Sequence, residues 1–125
     1  MNEHEICKEL VKWARLNERR YPCLKWLRHW PNEGRRNPWK AKEIGIMAGP
    51  SDYFLPVPTK HHHGLWLEIK AKGKRPTDKQ LRWLEDMAKL GHCSEWRDNL
   101  SDAIFVLDGY CKLVRESLPT RQRLS

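Results

Sequence analysis

The chain has 125 residues and seven tryptophans, enough for one domain with a modest core. It has no run of 18 apolar residues and no signal-peptide pattern, so we expect a soluble, cytoplasmic protein that binds no membrane. Lysine and arginine number 24 against 16 acidic residues, a net charge of +8, which favours nucleic acid as the partner. The four cysteines form no Cys-x-x-Cys pair, which argues against zinc and favours a reducing compartment.

Residues 3–16 repeat their apolar side chains with the period of a helix. Glu3 falls on the apolar stripe of this predicted helix, whereas Glu5 falls with the polar residues. Two interpretations of Glu3 stay open at this point. An acid near a helix N-terminus is stabilised by the helix dipole, and an inward-facing carboxylate can also join an acidic site. For the second role Glu3 is preferred over Glu5.

The segment that follows is less regular. Leu24, Trp26 and Trp30 share one parity, which predicts a short strand within residues 20–30. After a turn at residues 31–34, Asn37 as N-cap and Pro38 at the first helical position predict a second helix to about residue 44. We expect Trp39 of this helix in the core. Basic residues gather here and again after residue 70, and the sequence predicts that both clusters bind nucleic acid: Arg35, Arg36, Lys40 and Lys42, then Lys72, Lys74 and Arg75.

Two extended segments form the centre of the chain. Asp52 opens a strand over residues 52–57, which Pro56 ends or restricts to a sheet edge. Residues 61–63 are three histidines in the connection, where side chains point in different directions, so a metal role is not favoured. The second strand, residues 65–71, is almost continuously apolar, which predicts a strand covered on both faces. In it Glu68 and Lys70 share one face, ~7 Å apart.

An aspartate from the preceding strand gives this face two carboxylates and a cation. Oxygen atoms are the ligands that Mg²⁺ prefers, so Asp52, Glu68 and Lys70 form the minimal set of groups for metal-assisted phosphodiester hydrolysis. The alternative is an ordinary ion pair on a solvated strand face, which has little energetic value. Burial of the strand favours the functional interpretation, because buried charges need partners or a metal.

The rest of the chain predicts two helices and a strand. Thr77 and Gln80 fit a capping box that starts a helix ending at Gly91, and Gln80 can also point toward the site. Residues 93–96 predict a strand, and residues 100–111 a last amphipathic helix. Residues 1–113 would then form the domain and residues 114–125 a basic tail. The order of elements predicts an α/β fold with a small mixed sheet flanked by helices.

The ordered set of an acidic helix, Gly49-Pro50-Ser51-Asp52, Glu68-Ile69-Lys70 and a Thr77-x-x-Gln80 helix resembles the PD-(D/E)XK nuclease superfamily. Within it, the chain is similar to VRR-NUC (virus-type replication and repair nuclease) domains over residues 3 to about 111. One departure is visible. The family usually has proline directly before the aspartate, where this chain has Ser51, and the change affects the stiffness of the turn more than the chemistry.

The resemblance implies a restriction-endonuclease-like core and a Mg²⁺- or Mn²⁺-dependent DNA endonuclease without a nucleotide cofactor. Asp52, Glu68 and the backbone carbonyl of Ile69 would bind the metal. Lys70 would orient or help deprotonate the attacking water and stabilise developing phosphate charge. Glu3 and Gln80 would complete the site.

Stand-alone relatives are associated with homodimers that cut four-way (Holliday) junctions in DNA repair, which implies branched DNA as the partner and the cytoplasm of a bacterial or phage-infected cell. The alternatives are a catalytically idle basic DNA-binding domain on the same fold, and a nuclease for flaps or single strands.

Overall fold

The computed structural model describes residues 1–30, Trp39, Glu43 and residues 51–118. Three α-helices, one 3-10 helix and four strands are assigned in this part of the chain. In order they are α1 (Glu3–Leu16), the 3-10 helix (Pro22–Trp26), β1 (Arg28–His29), β2 (Tyr53–Leu55), β3 (Leu65–Ile69), α2 (Asp78–Lys89), β4 (Cys93–Arg97) and α3 (Leu100–Ser117). This is the α/β fold with a mixed sheet that the sequence predicts. None of the described helices is both long enough and apolar enough to cross a membrane.

The four strands form one sheet in the order β1-β2-β3-β4. Strands β1, β2 and β3 are antiparallel neighbours, with Tyr53 opposite Leu67 in the central pair. Strand β4 runs parallel to β3, with Glu68 opposite Trp96. A parallel neighbour needs a long crossover connection, and α2 supplies it. All five residues of β3 are buried, which confirms the prediction that this strand is covered on both faces.

The two faces of the sheet are packed differently. Helices α1 and α3 cover one face, and the core there combines helix and strand residues, among them Ile6, Leu10, Ala14, Leu65, Leu67, Ile69, Ala103 and Leu107. The opposite face is aromatic. The Trp66 ring stacks on Phe54 at 4.1 Å between centroids and meets Trp83 of α2 edge-on at 5.3 Å. The site therefore lies in a rigid setting, because its central strand is packed from both sides.

Local capping fixes where the helices begin. Asn2 caps α1, Asn99 caps α3, and Thr77 with Gln80 forms the predicted capping box of α2. Gly91 ends α2 with φ of +92°, a conformation that favours glycine, and a Cβ at this position would clash with the His63 ring at 2.5 Å. The turn from α2 into β4 therefore requires glycine both for its backbone and for the space around it.

Several predictions about these elements are wrong. The segment around Leu24 and Trp26 is a 3-10 helix that starts at a proline, followed by only two strand residues, because proline fixes φ and has no N–H for a sheet ladder. Trp39 is helical as predicted but 77% exposed, so it does not belong to the core. The predicted last helix was too short, because α3 continues through Ser117 and buries Val114.

Other predictions fall on residues outside the described part of the chain. Of the predicted second helix, only Trp39 and Glu43 are described, and both are helical. The first basic cluster, the turn before Asp52 and residues 119–125 of the predicted tail lie outside the described residues, so those predictions stay predictions. This applies to Arg35, Arg36, Lys40 and Lys42.

Candidate metal centre and active site

Asp52 and Glu68 face each other across the central hairpin. Because Tyr53 pairs with Leu67, the antiparallel register brings Asp52, one residue earlier, opposite Glu68. The Asp52 carboxylate accepts a hydrogen bond from the Ile69 backbone N–H through Oδ2 at 2.8 Å. This bond holds one carboxylate oxygen of Asp52 against β3 and fixes the orientation of the other.

The start of α1 brings a third carboxylate to the same place. Ligand oxygens of Glu3, Asp52 and Glu68 all lie within 4.8 Å of one another, with Glu3 and Asp52 partly buried and Glu68 only 2% exposed. Glu5 is engaged elsewhere, since its side chain accepts a hydrogen bond from Asn2 Nδ2 at 3.0 Å. The helical period predicts this choice, because Glu3 lies on the face of α1 that packs against the sheet.

Lys70 stands beside the carboxylates. Its Nζ lies 3.9 Å from Glu68 Oε1, and its side chain is 14% exposed. The second oxygen of Glu68, Oε2, is buried and has no hydrogen-bond partner in the part of the chain that the structure describes. A buried carboxylate oxygen without a donor is costly, and a hard divalent cation bound by three carboxylates would satisfy it. These residues therefore fit Mg²⁺ or Mn²⁺.

Burial and the closeness of other carboxylates raise the pKa values of Glu68 and Glu3. Burial, and then the close Asp52 carboxylate, raise the pKa of Glu68 to about 9, although Lys70 opposes this shift. The pKa of Glu3 is also raised, first by burial and then by repulsion from Asp52. Without a cation, the site therefore favours a protonated Glu68, and binding of a divalent cation must displace that proton.

This shift predicts how stability depends on pH. In the folded protein Glu68 holds its proton more tightly than in the unfolded chain, so the group stabilises the fold fully below its ordinary pKa of 4.5. That stability is lost as pH rises toward the folded value. In EDTA, Glu68→Gln should therefore be more stable than wild type, and the difference should grow by ~1 kcal/mol or more between pH 5 and pH 9. Urea unfolding at several pH values measures it.

Glu85→Gln is the matched control for this prediction, because Glu85 is an exposed acid on α2. Its difference from wild type should not grow over the same pH range. Saturating Mg²⁺ should stabilise the wild type and not Glu68→Gln. A pH-independent difference for Glu68→Gln would contradict the buried-acid account.

The remaining predicted residues lie as follows. Gln80 Oε1 accepts a hydrogen bond from Thr77 N at 2.9 Å, so its described bonds are those of the capping box, and a role at the site stays a prediction. Lys72, Lys74 and Arg75 are exposed on the loop that leaves Lys70. The loop is held in place by Gly73 N, which donates to Asp98 Oδ2 at 3.1 Å.

The sequence did not predict a role for Cys7 or Trp30 beside the acids. Burial, and to a smaller degree Asp52, Glu3 and Glu68, raise the pKa of the Cys7 thiol to about 11. Its spacing of four residues from Glu3 on one helix was the available signal. Trp30 donates its backbone N–H to the Asp52 carbonyl at 2.6 Å. The sequence has no local signal that Trp30 is a neighbour of Asp52, because this proximity depends on the pairing of β1 with β2.

Neither a comparison with protein-family models nor a search of curated proteins gives a match. Among solved structures, the chain is similar to one described as a VRR_NUC domain protein. The two chains are 27% identical, the match covers 90% of each, and the TM-score is 0.77. A likeness over nearly the whole of both chains agrees with the order of motifs read from the sequence. The comparison therefore supports a VRR-NUC domain with a nuclease-type fold.

Proposed function

We propose that this chain is a Mg²⁺- or Mn²⁺-dependent DNA endonuclease. The observation that carries the proposal is the cluster of Glu3, Asp52 and Glu68 with Lys70 3.9 Å from Glu68. Asp52, Glu68 and the Ile69 carbonyl would hold the metal. A divalent cation at such a site supplies an activated water and neutralises charge on the phosphate. Glu3 completes the acidic side of the site from α1.

Lys70 has the position of a residue that stabilises charge. Lys70 forms an ion pair with Glu68 and lies on the strand face that carries this acid. A fixed positive charge in a largely buried setting stabilises the oxygens that become more negative as the phosphodiester is attacked. Lys70 also holds the water in line by donating hydrogen bonds. In this proposal Gln80, in the first turn of α2, also takes part in the site.

The DNA surface continues from the catalytic lysine. Lys72, Lys74 and Arg75 follow Lys70 on an exposed loop, and the whole chain has a net charge of +8. Such residues contact phosphates and give affinity without reading sequence. We propose that this loop carries the strand toward the metal site, together with Arg35, Arg36, Lys40 and Lys42.

Replacing Lys72, Lys74 and Arg75 together with alanine should weaken DNA binding equally for unrelated sequences. Each lost phosphate contact should reduce the slope of log K against log salt by ~0.9 on duplex DNA. Fluorescence anisotropy in EDTA at a series of salt concentrations measures the slope. Lys89→Ala, an exposed lysine on α2, is the control and should keep the wild-type slope. An unchanged slope in the triple variant would show that the loop faces away from DNA.

We further propose that the chain acts on four-way junctions as a homodimer. An exposed apolar stripe on α3 supports this proposal. Phe105, Gly109 and Leu113 recur every four residues, Phe105 is 79% exposed, and a Cβ at Gly109 would meet nothing within 4 Å. Two copies of α3 crossing antiparallel at Gly109 would set Phe105 of each chain on Leu113 of the other. Such a dimer supplies the two symmetric nicks that a junction needs.

Light scattering should give twice the chain mass of 15.0 kDa for the wild type and the single mass for Phe105→Asp. The variant should also lose paired nicking of junctions, because a two-fold dimer places both nicks. Leu16→Asp is the control, since Leu16 is an equally exposed apolar residue at the end of α1. A wild-type monomer that cuts flaps, single strands and junctions equally would contradict the dimer and the junction preference, leaving the flap or single-strand nuclease.

Digestion of plasmid and branched DNA with and without Mg²⁺ or Mn²⁺ tests the proposal as a whole. Cleavage only with the metal is the expected result. The alternative, a catalytically idle DNA-binding domain, predicts binding without cleavage in either metal. The complete acid cluster and the adjacent lysine favour catalysis, because an idle domain has no need to gather three carboxylates around a buried Glu68.

A further inference from the structure

Trp30 is a partly exposed tryptophan next to the proposed metal site. It follows β1 and pairs with Asp52, since its N–H donates to the Asp52 carbonyl at 2.6 Å. Residues directly opposite in an antiparallel pair have their Cβ atoms roughly 5 Å apart and point to the same face. The side chains of Trp30 and Asp52 therefore point to the same face of the sheet.

Contacts between aromatic rings show which face of the sheet Trp30 occupies. His29, the residue before Trp30, packs on Tyr53 of the core face with ring centroids 5.2 Å apart. Trp30 points to the other face and meets Trp66 edge-on at 5.9 Å with an interplanar angle of 70°. Trp66 shares that face with Glu68, two residues along β3. Trp30, Asp52 and Glu68 thus stand on the same side of the sheet.

The exposure of Trp30 calls for an explanation. Trp30 is 45% exposed although its ring contacts the buried Trp66. The edge contact with Trp66 restricts the Trp30 ring, so the Trp30 side chain loses little further conformational entropy when a ligand stacks on it. Trp26 offers a contrast. It is 50% exposed, but Lys25 and Arg28 of its own chain lie over its ring at 5.3 and 5.8 Å.

We propose that Trp30 is a stacking platform for an unpaired nucleobase next to the phosphodiester that is cut. The inference rests on the proposed nuclease function and specifies its substrate: DNA whose strand is open at the cleavage position, as at a branch point or in a single strand. A base in a closed duplex is already stacked on its neighbours and cannot reach the ring. Stacking on an aromatic side chain tolerates any base, which agrees with recognition of structure and not of sequence.

The test uses a single-stranded oligonucleotide that carries 2-aminopurine and a fully paired duplex of the same sequence, in Ca²⁺ to prevent cleavage. The wild type should quench the 2-aminopurine emission of the single strand. Trp30→Leu should lose the quenching and bind the single strand about 5- to 100-fold more weakly, with duplex binding unchanged. Trp30→Phe should restore most of both, because it keeps an aromatic face. Trp26→Ala should behave as wild type.

Cleavage in Mg²⁺ separates this inference from the proposed function. If the wild type cuts and Trp30→Leu binds and cuts open and paired DNA as the wild type does, the stacking platform is wrong and the nuclease stands. If the wild type cuts no DNA while the Trp30-dependent quenching is present, the nuclease is wrong and the base site stands. A Trp30→Leu variant that loses single-strand and duplex binding equally would show a structural role only, and would overturn the platform.

Discussion

Glu68→Gln and Asp52→Asn should each reduce Mg²⁺-dependent DNA cleavage by about 10³-fold or more. Each substitution keeps the shape of the side chain and removes one negative charge from the group of three acids that would hold the metal. DNA affinity in EDTA should stay near the wild-type value for Glu68→Gln, since Glu68 is already protonated without a cation, and should increase slightly for Asp52→Asn, which removes a charge that repels phosphate. The basic loop supplies the binding in both variants. Single-turnover cleavage and anisotropy measure the two effects separately.

Two variants on the first turn of α1 sharpen this test. Glu3→Gln should weaken metal binding and cleavage, since Glu3 belongs to the acid cluster. Glu5→Gln is its matched control two residues away, because Glu5 is exposed and bonded to Asn2. Calorimetric titration with Mn²⁺ follows metal binding directly. Near wild-type cleavage by Glu68→Gln or Asp52→Asn would place the catalytic site elsewhere in the chain.

Lys70→Met should reduce cleavage by about 10²- to 10³-fold while leaving metal binding intact or tighter. The methionine preserves the length of the largely buried side chain, and loss of its charge removes repulsion between Lys70 and the bound cation. The expected signature is therefore a fall in the single-turnover rate at saturating Mn²⁺ without a weaker Mn²⁺ titration.

Lys70→Arg distinguishes two roles of the lysine. Arginine keeps the charge but cannot act as a general base in a protein. Substantial activity in Lys70→Arg would support the electrostatic role, whereas a loss as large as in Lys70→Met would point to proton transfer or to a geometry that only lysine meets. Full activity of Lys70→Met would show that Lys70 has no part in the chemistry.

Much of the site could be predicted from sequence because its components follow local rules. The alternation of β3 puts Glu68 and Lys70 on one face, and the helical period selects Glu3 over Glu5. The capping box of α2 depends only on Thr77 and Gln80. Each of these patterns spans a few residues, so the chain specifies it without reference to distant contacts.

Other features were decided by contacts between distant parts of the chain. Periodicity gave no reason for Trp30 to lie beside Asp52, because that proximity comes from pairing β1 with a strand more than 20 residues later. The wrong prediction for Trp39 has a related cause, since hydrophobicity alone does not say whether another element covers a side chain. The length of α3 likewise depended on packing of Val114 against the core.

The sequence by itself determined the α/β class, the main helices and the acids with their lysine, since periodicity, capping and alternation act over short distances. Only the tertiary structure decided that ligand oxygens of the three carboxylates come within 4.8 Å, that Glu68 Oε2 is buried without a donor among the described residues, and that Trp30 pairs with Asp52. These facts depend on strand register and on the docking of α1. Both are set by the packing of residues far apart in the chain, which no local pattern contains.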